Sequence, residues 1–191
     1  MKLTHQLVAG FGVITIFVII SGITGILATD AINSKVETLT RITTPTVQIV
    51  DDMIITLAQM NRVVQEFAAE DNENGLGNLR SEFDSLGQRM SNDQREALKL
   101  IDEENVLANM QTAERKYSIF KEKAIKVLDA RRSELAAEEK NEQQRYKSVK
   151  EALLKQLNDE AKELTLILNE VATRVNTLNK KADEESRAAL H

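Results

Sequence analysis

Arg62 is the only cation among residues 43–71. Its planar guanidinium carries donors in the fork geometry that grips a carboxylate. Gln59, Asn61 and Gln65 stand within one helical turn of it, and far along the chain Tyr146 follows Gln143, Gln144 and Arg145. Arg62, Gln59, Gln65, Tyr146 and Gln143 are therefore the candidate ligand-binding residues. Their chemistry suits a small organic or amino acid, with the guanidinium on the acid and a tyrosine hydroxyl beside it. A plainer reading stands next to this one. Arg62 falls at an f position, opposite the apolar seam, where an arginine meets water or a partner helix, and Tyr146 falls at a core position.

Catalytic chemistry has little to work with. The two histidines, His5 and His191, lie at the chain's ends, and no Ser-His-Asp set, glycine-rich phosphate loop or metal-ligand cluster is present. No catalytic residue, metal or cofactor is expected. Acidic pairs such as Glu138-Glu139 read as solvated helix faces.

The elements that must position the candidate residues are helices with a 3.5-residue apolar repeat. One seam runs Val36, Leu39, Thr43, Thr46, Val50, Met53, Leu57, Met60, Val64 and Phe67, with Pro45 inside it as a potential kink. A second runs Leu76, Leu79, Phe83, Leu86, Met90, Asp93, Ala97 and Leu100; Ser91 with Gln94 resembles a capping box where that helix either restarts or simply continues. A third comprises Val106, Met110, Ala113, Tyr117, Phe120, Ala124, Val127 and Leu128. The fourth comprises Tyr146, Val149, Leu153, Leu157, Leu164, Leu168, Val171, Val175, Leu178 and Ala182. Polar stretches at 71–77, 101–105 and 131–144 are the expected turns. The spacing predicts helices over about 30–71, 76–101, 106–135 and 142–190, an all-α antiparallel up-down-up-down four-helix bundle with long coiled-coil-like helices.

Residues 7–29 (LVAGFGVITIFVIISGITGILAT) hold no ionised group. At 1.5 Å per residue they reach roughly 34 Å, enough to cross a bilayer. A retained anchor is favoured over a cleaved signal peptide, whose apolar region is shorter. Lys2 ahead of the span and Asp30 after it place residues 1–6 in the cytoplasm and the 30–190 bundle outside. Aromatics make up only 4% of the chain and three of the seven glycines lie beyond the span, too few turn and strand formers for a sheet. The net charge of −5, mixed in sign along the helices, argues against nucleic acid as a partner. The absence of cysteine excludes disulfides and thiol chemistry.

This layout resembles the sensory half of a methyl-accepting chemotaxis receptor of the four-helix-bundle type. The resemblance lies in the short leading segment, the Gly-Phe-Gly opening of the span, the mid-helix proline in TRITTPTVQIV, and about 160 residues of bundle before a second expected approach to the membrane. It implies a bacterial inner-membrane protein whose bundle faces the periplasm, forms a homodimer and binds a small ligand near the membrane-distal end. Binding would then displace the last helix and alter a cytoplasmic signalling domain outside this chain. The sensor of a membrane histidine kinase or diguanylate cyclase uses the same bundle, and a ligand-free, membrane-tethered coiled-coil scaffold is the alternative of a different kind.

Overall fold

The heptad seams become four helices in a computed structural model, which describes residue 29 and residues 44–188. They are α1 (Thr44–Ala69), α2 (Glu73–Leu100), α3 (Glu104–Ala136) and α4 (Lys140–Ala188). The fold is all-α, with no strand among the described residues. The expected span at 7–29 lies outside the described residues apart from Thr29, as do residues 30–43 of the expected first helix. Pro45 is the second residue of α1 as described, so the kink expected there falls at the edge of that segment.

Each break has a local cause. Asn72 caps α2, its side-chain oxygen accepting from the backbone of Asn74 at 2.8 Å and of Gly75 at 3.4 Å. Capping this early makes the turn shorter than the predicted 71–77, and it carries Gly75, Leu76 and Gly77 into the helix. Leu76 is then buried. A β-carbon on Gly75 would stand 2.6 Å from the Glu70 carboxyl carbon, so a larger residue there would push that side chain aside. Glu103 caps α3 through a 2.6 Å bond from the Val106 amide; that bond, with help from Asn105, holds its carboxyl below the usual glutamate range. The third break is confined to 137–139 within the predicted 131–144. No restart occurs at Ser91: its hydroxyl donates to the Gly87 carbonyl at 2.9 Å and α2 runs through unbroken.

Phe67, Phe83 and Phe120 are fully buried with Met53, Met60, Met90 and Met110, and with Leu157, Leu164 and Leu168 of α4. Each such side chain contributes on the order of 1.5–3 kcal/mol by leaving water. Extensive packing joins α1 to α2, α1 to α4 and α3 to α4, whereas α2 and α3 meet sparsely. Where they do meet, buried Tyr117 of α3 directs its hydroxyl at the Gly87 carbonyl of α2, 3.4 Å away, with the Met60 sulfur at 3.9 Å.

The predicted fourth seam departs from the structure at its start. Val149 is 45% exposed and Tyr146 only half-buried, while neighbouring Lys150 is buried at 7% exposure. The lysine stem takes the interior position because its ammonium finds two acceptors there, described below.

The expected placement in a bacterial inner membrane is corrected: among the described residues no helix is long and apolar enough to cross a membrane. The reason is compositional, since every described helix carries charged side chains along its exposed face.

Candidate functional site

Leu57, Ala58 and Asn61 of α1 face Asn158, Ala161, Lys162, Thr165 and Leu166 of α4 across a cleft of about 660 Å³. The cleft exists because α1 offers a small residue, Ala58, and α4 another, Ala161, where larger side chains would close the gap. Leu166, 70% exposed, stands at its edge.

Three amides meet at this cleft. Asn61 Nδ2 donates to Asn158 Oδ1 at 3.1 Å, and Gln65 Nε2 donates to the same oxygen at 3.2 Å. Asn61 Oδ1 is shielded from solvent and has no hydrogen-bond partner. Exchanging the oxygen and nitrogen of Asn61 would not help, because it would set two acceptors against each other. A buried acceptor left in this state costs about 1–3 kcal/mol. The Thr165 hydroxyl donates to the Ala161 carbonyl at 2.7 Å, which leaves its oxygen free to accept. Lys162 is the only charged lining residue; its side chain is 78% exposed, with Asp159 at 4.0 Å offsetting its charge.

At the end of α1, two cations from other helices meet its last carbonyls. Lys150 Nζ donates to the Ala68 carbonyl at 2.9 Å and to Glu134 Oε2 at 2.6 Å. Arg131 donates through Nε to the Glu70 carbonyl at 3.0 Å, pairs with Asp71, and reaches Glu134 Oε2 at 2.9 Å. Positive charge at a helix C-terminus satisfies orphan carbonyls and the axial dipole together. Burial alone would push the Glu134 carboxyl up; the hydrogen bonds and charges of Lys150 and Arg131 outweigh it and hold that group below the usual range.

Farther along, α3 and α4 are joined by an ionic ladder. Lys123 contacts Glu160 at 2.6 Å, and Lys116 reaches Glu163 at 2.8 Å and Glu160 at 3.7 Å. The α1–α2 pair is joined by Arg62–Glu82 at 2.9 Å and Asp52–Arg89 at 3.6 Å. Among the described residues, no ion pair joins a side chain of α1 to one of α4.

The structure distributes the five predicted ligand-binding residues over different surroundings. Arg62 is exposed and its fork is engaged by Glu66 at 2.6 Å and Glu82 on α2; the Glu66 hydrogen bond, with both negative charges, raises its already high pKa. Gln65 turns instead toward Asn158 on α4. Gln59 is half-buried on α1. Gln143 is exposed and donates to the Ala137 carbonyl at 2.8 Å, closing the turn into α4, and Tyr146 is half-buried one turn later. Of the five, Gln65 alone belongs to the amide cluster, and none lines the cleft itself. Sequence reasoning missed Asn158, Thr165 and Lys150. A polar residue directly after the seam residue Leu157 was the available signal for Asn158.

No protein-family model, no curated protein and no solved structure matches this chain.

Proposed function

We propose that this bundle is a sensory, ligand-binding module of the chemoreceptor kind, taking a small solute and passing on a displacement of α4 to a signalling domain beyond it. The observation that carries the reading is the position of the cleft. It opens on α1–α4, the only one of the three well-packed helix pairs that no side-chain ion pair crosses among the described residues. Side-chain ion pairs tie α1 to α2 and α3 to α4, while α4 and α3 hold the end of α1 through Lys150 on the Ala68 carbonyl and Arg131 on Glu70, so the two pairs can shear along the α1–α4 seam about that anchored end.

The pairing of residues supports an antiparallel up-down-up-down order. From Lys123–Glu160 to Lys116–Glu163, α3 residues fall as their α4 partners rise. The same holds for α1 and α2 between Asp52–Arg89 and Arg62–Glu82, and for α1 and α4 between Asn61–Asn158 and Ala68–Lys150. In this reading the module works as a homodimer.

The test uses the full chain, whose lack of cysteine lets Gln48→Cys and Thr173→Cys carry a single pair of spin labels. A panel of amino acids, organic acids, polyols and amides is scanned by thermal shift. A solute that binds only the folded state at 100 times its Kd adds about 2.7 kcal/mol. The expected result is a hit that also shifts the inter-label distance by about 1–2 Å, the size of helix shifts in known switches. A silent panel, or a hit with no distance change, overturns the sensor reading in favour of a ligand-free scaffold.

A further inference from the structure

We infer that the α1–α4 cleft selects an uncharged solute bearing both hydrogen-bond donors and acceptors, such as a polyol or a primary amide, and excludes carboxylates and amines. This rests on the sensor reading above and names the ligand class of the same site. The cleft's polar equipment is neutral: the carboxamides of Asn61 and Asn158, backed by Gln65, and the hydroxyl of Thr165. No carboxylate lines it to hold an ammonium. Its one cation, Lys162, is largely in water and has Asp159 beside it, so it supplies no desolvated charge for an acid. Arg62, the group best shaped for an acid, does not line the cleft and is engaged by Glu66 and Glu82.

The amide geometry supplies the recognition step. Asn158 Oδ1 accepts from both Asn61 and Gln65, so Asn61 can rotate toward the cleft while Gln65 keeps that oxygen satisfied. Rotation gives up one hydrogen bond and presents both the unpartnered Oδ1 and the released Nδ2 of Asn61 to a ligand. A molecule with adjacent donor and acceptor replaces the lost bond and adds the missing one. A carboxylate group offers no donor to Oδ1 and must lose its hydration beside an apolar wall of Leu57, Ala58, Ala161 and Leu166.

The full chain, labelled with ¹⁵N on asparagine and glutamine side chains, tests this with acetamide and erythritol as neutral probes, succinate and aspartate as anions, and putrescine as a cation. Saturable shifts of the Asn61, Gln65 and Asn158 amide resonances are expected with a neutral probe and not with the charged ones. Asn61→Leu removes an unpaired buried acceptor and should fold with an unchanged or higher Tm, while weakening the neutral probe by about tenfold, the loss of one to two hydrogen bonds. Asn158→Leu should act in the same direction, and Arg62→Ala should leave the affinity unchanged.

If succinate or putrescine moves these resonances, the neutral-ligand assignment falls while the sensor reading stands. If a panel hit displaces α4 yet leaves Asn61 and Asn158 unmoved, the assignment falls again and the sensor reading survives. Failure of the sensor reading shows instead in the label distance. Loss of neutral-probe binding in Arg62→Ala with no loss in Asn61→Leu overturns the assignment in favour of the guanidinium.

Discussion

Asp93 shows how one side chain in the wrong surroundings leaves a measurable mark. It occupies a seam position of α2, its Oδ2 is buried without a hydrogen bond, and Arg89 stays 3.9 Å away. Burial raises its pKa, the negative charges of Asp52 and Glu96 add to the rise, and Arg89 opposes it. A group whose folded pKa is raised contributes stability below its unfolded pKa and loses it as pH climbs through the folded value. Asp93→Asn is therefore expected to raise Tm by ~2–4 °C at pH 7 for a gain of about 1 kcal/mol. Near pH 3 the two proteins should converge, and thermal melts at both pH values check this. The same residue shows what the spacing could not give: the heptad put Asp93 in the seam, where it is half-buried and Gln94 beside it is buried, and its surroundings depend on where Arg89 and Asp52 come to rest.

Among the elements, α1 was the most legible and the start of α4 the least. Val50, Met53, Leu57, Met60, Val64 and Phe67 were read from spacing and are all buried. On α4 the same rule chose Val149, while the interior took Lys150, because hydropathy ranks the lysine by its charge and not by the carbonyl and carboxylate that receive it. The cleft was illegible for a different reason. Asn61 and Asn158 stand 97 positions apart, and only the register of α1 against α4 brings them together.

Lys150→Met leaves the Ala68 carbonyl without its donor and takes one cation from Glu134, and is expected to cost about 2–4 kcal/mol in denaturant unfolding. Glu134→Gln takes the only paired carboxylate from buried Lys150 and leaves Arg131 with Asp71 alone, and should destabilise by about 2–3 kcal/mol at pH 7. Glu134 has a depressed folded pKa, so its contribution is present above its unfolded value near ~4.3 and is lost as pH falls through the lower folded value. The gap between wild type and Glu134→Gln should accordingly narrow below about pH 4. A gap that stays constant down to pH 2 would remove Glu134 from this role.

At the scale of the whole molecule, stability should be unevenly shared. The helices α3 and α4 have both deep packing and the Lys116–Lys123–Glu160–Glu163 ladder, whereas α2 rests on α1 and barely touches α3. Regions with few packed neighbours open at lower free energy than the global transition. Native-state hydrogen exchange is therefore expected to show amides of α2 exchanging by a sub-global opening that leaves the α3 and α4 amides protected. Equal protection across all four helices would instead mean one cooperative unit.

The hydroxyl of Tyr117 resting on Gly87 gives the bundle a built-in optical gauge of that opening. The chain has no tryptophan and two tyrosines, so phenolate absorption comes from Tyr117 and Tyr146 alone. Burial pushes the Tyr117 phenol up to about 12, the Ser91 hydroxyl pulling slightly the other way. As long as α2 covers this ring, alkali below that value leaves it as phenol. Once α2 lifts away, the ring meets water and forms the phenolate at an ordinary pH, absorbing near 295 nm. Measured against a Tyr146→Phe background, that absorbance thus counts the fraction of molecules in which the second helix has come off the third, with no label attached.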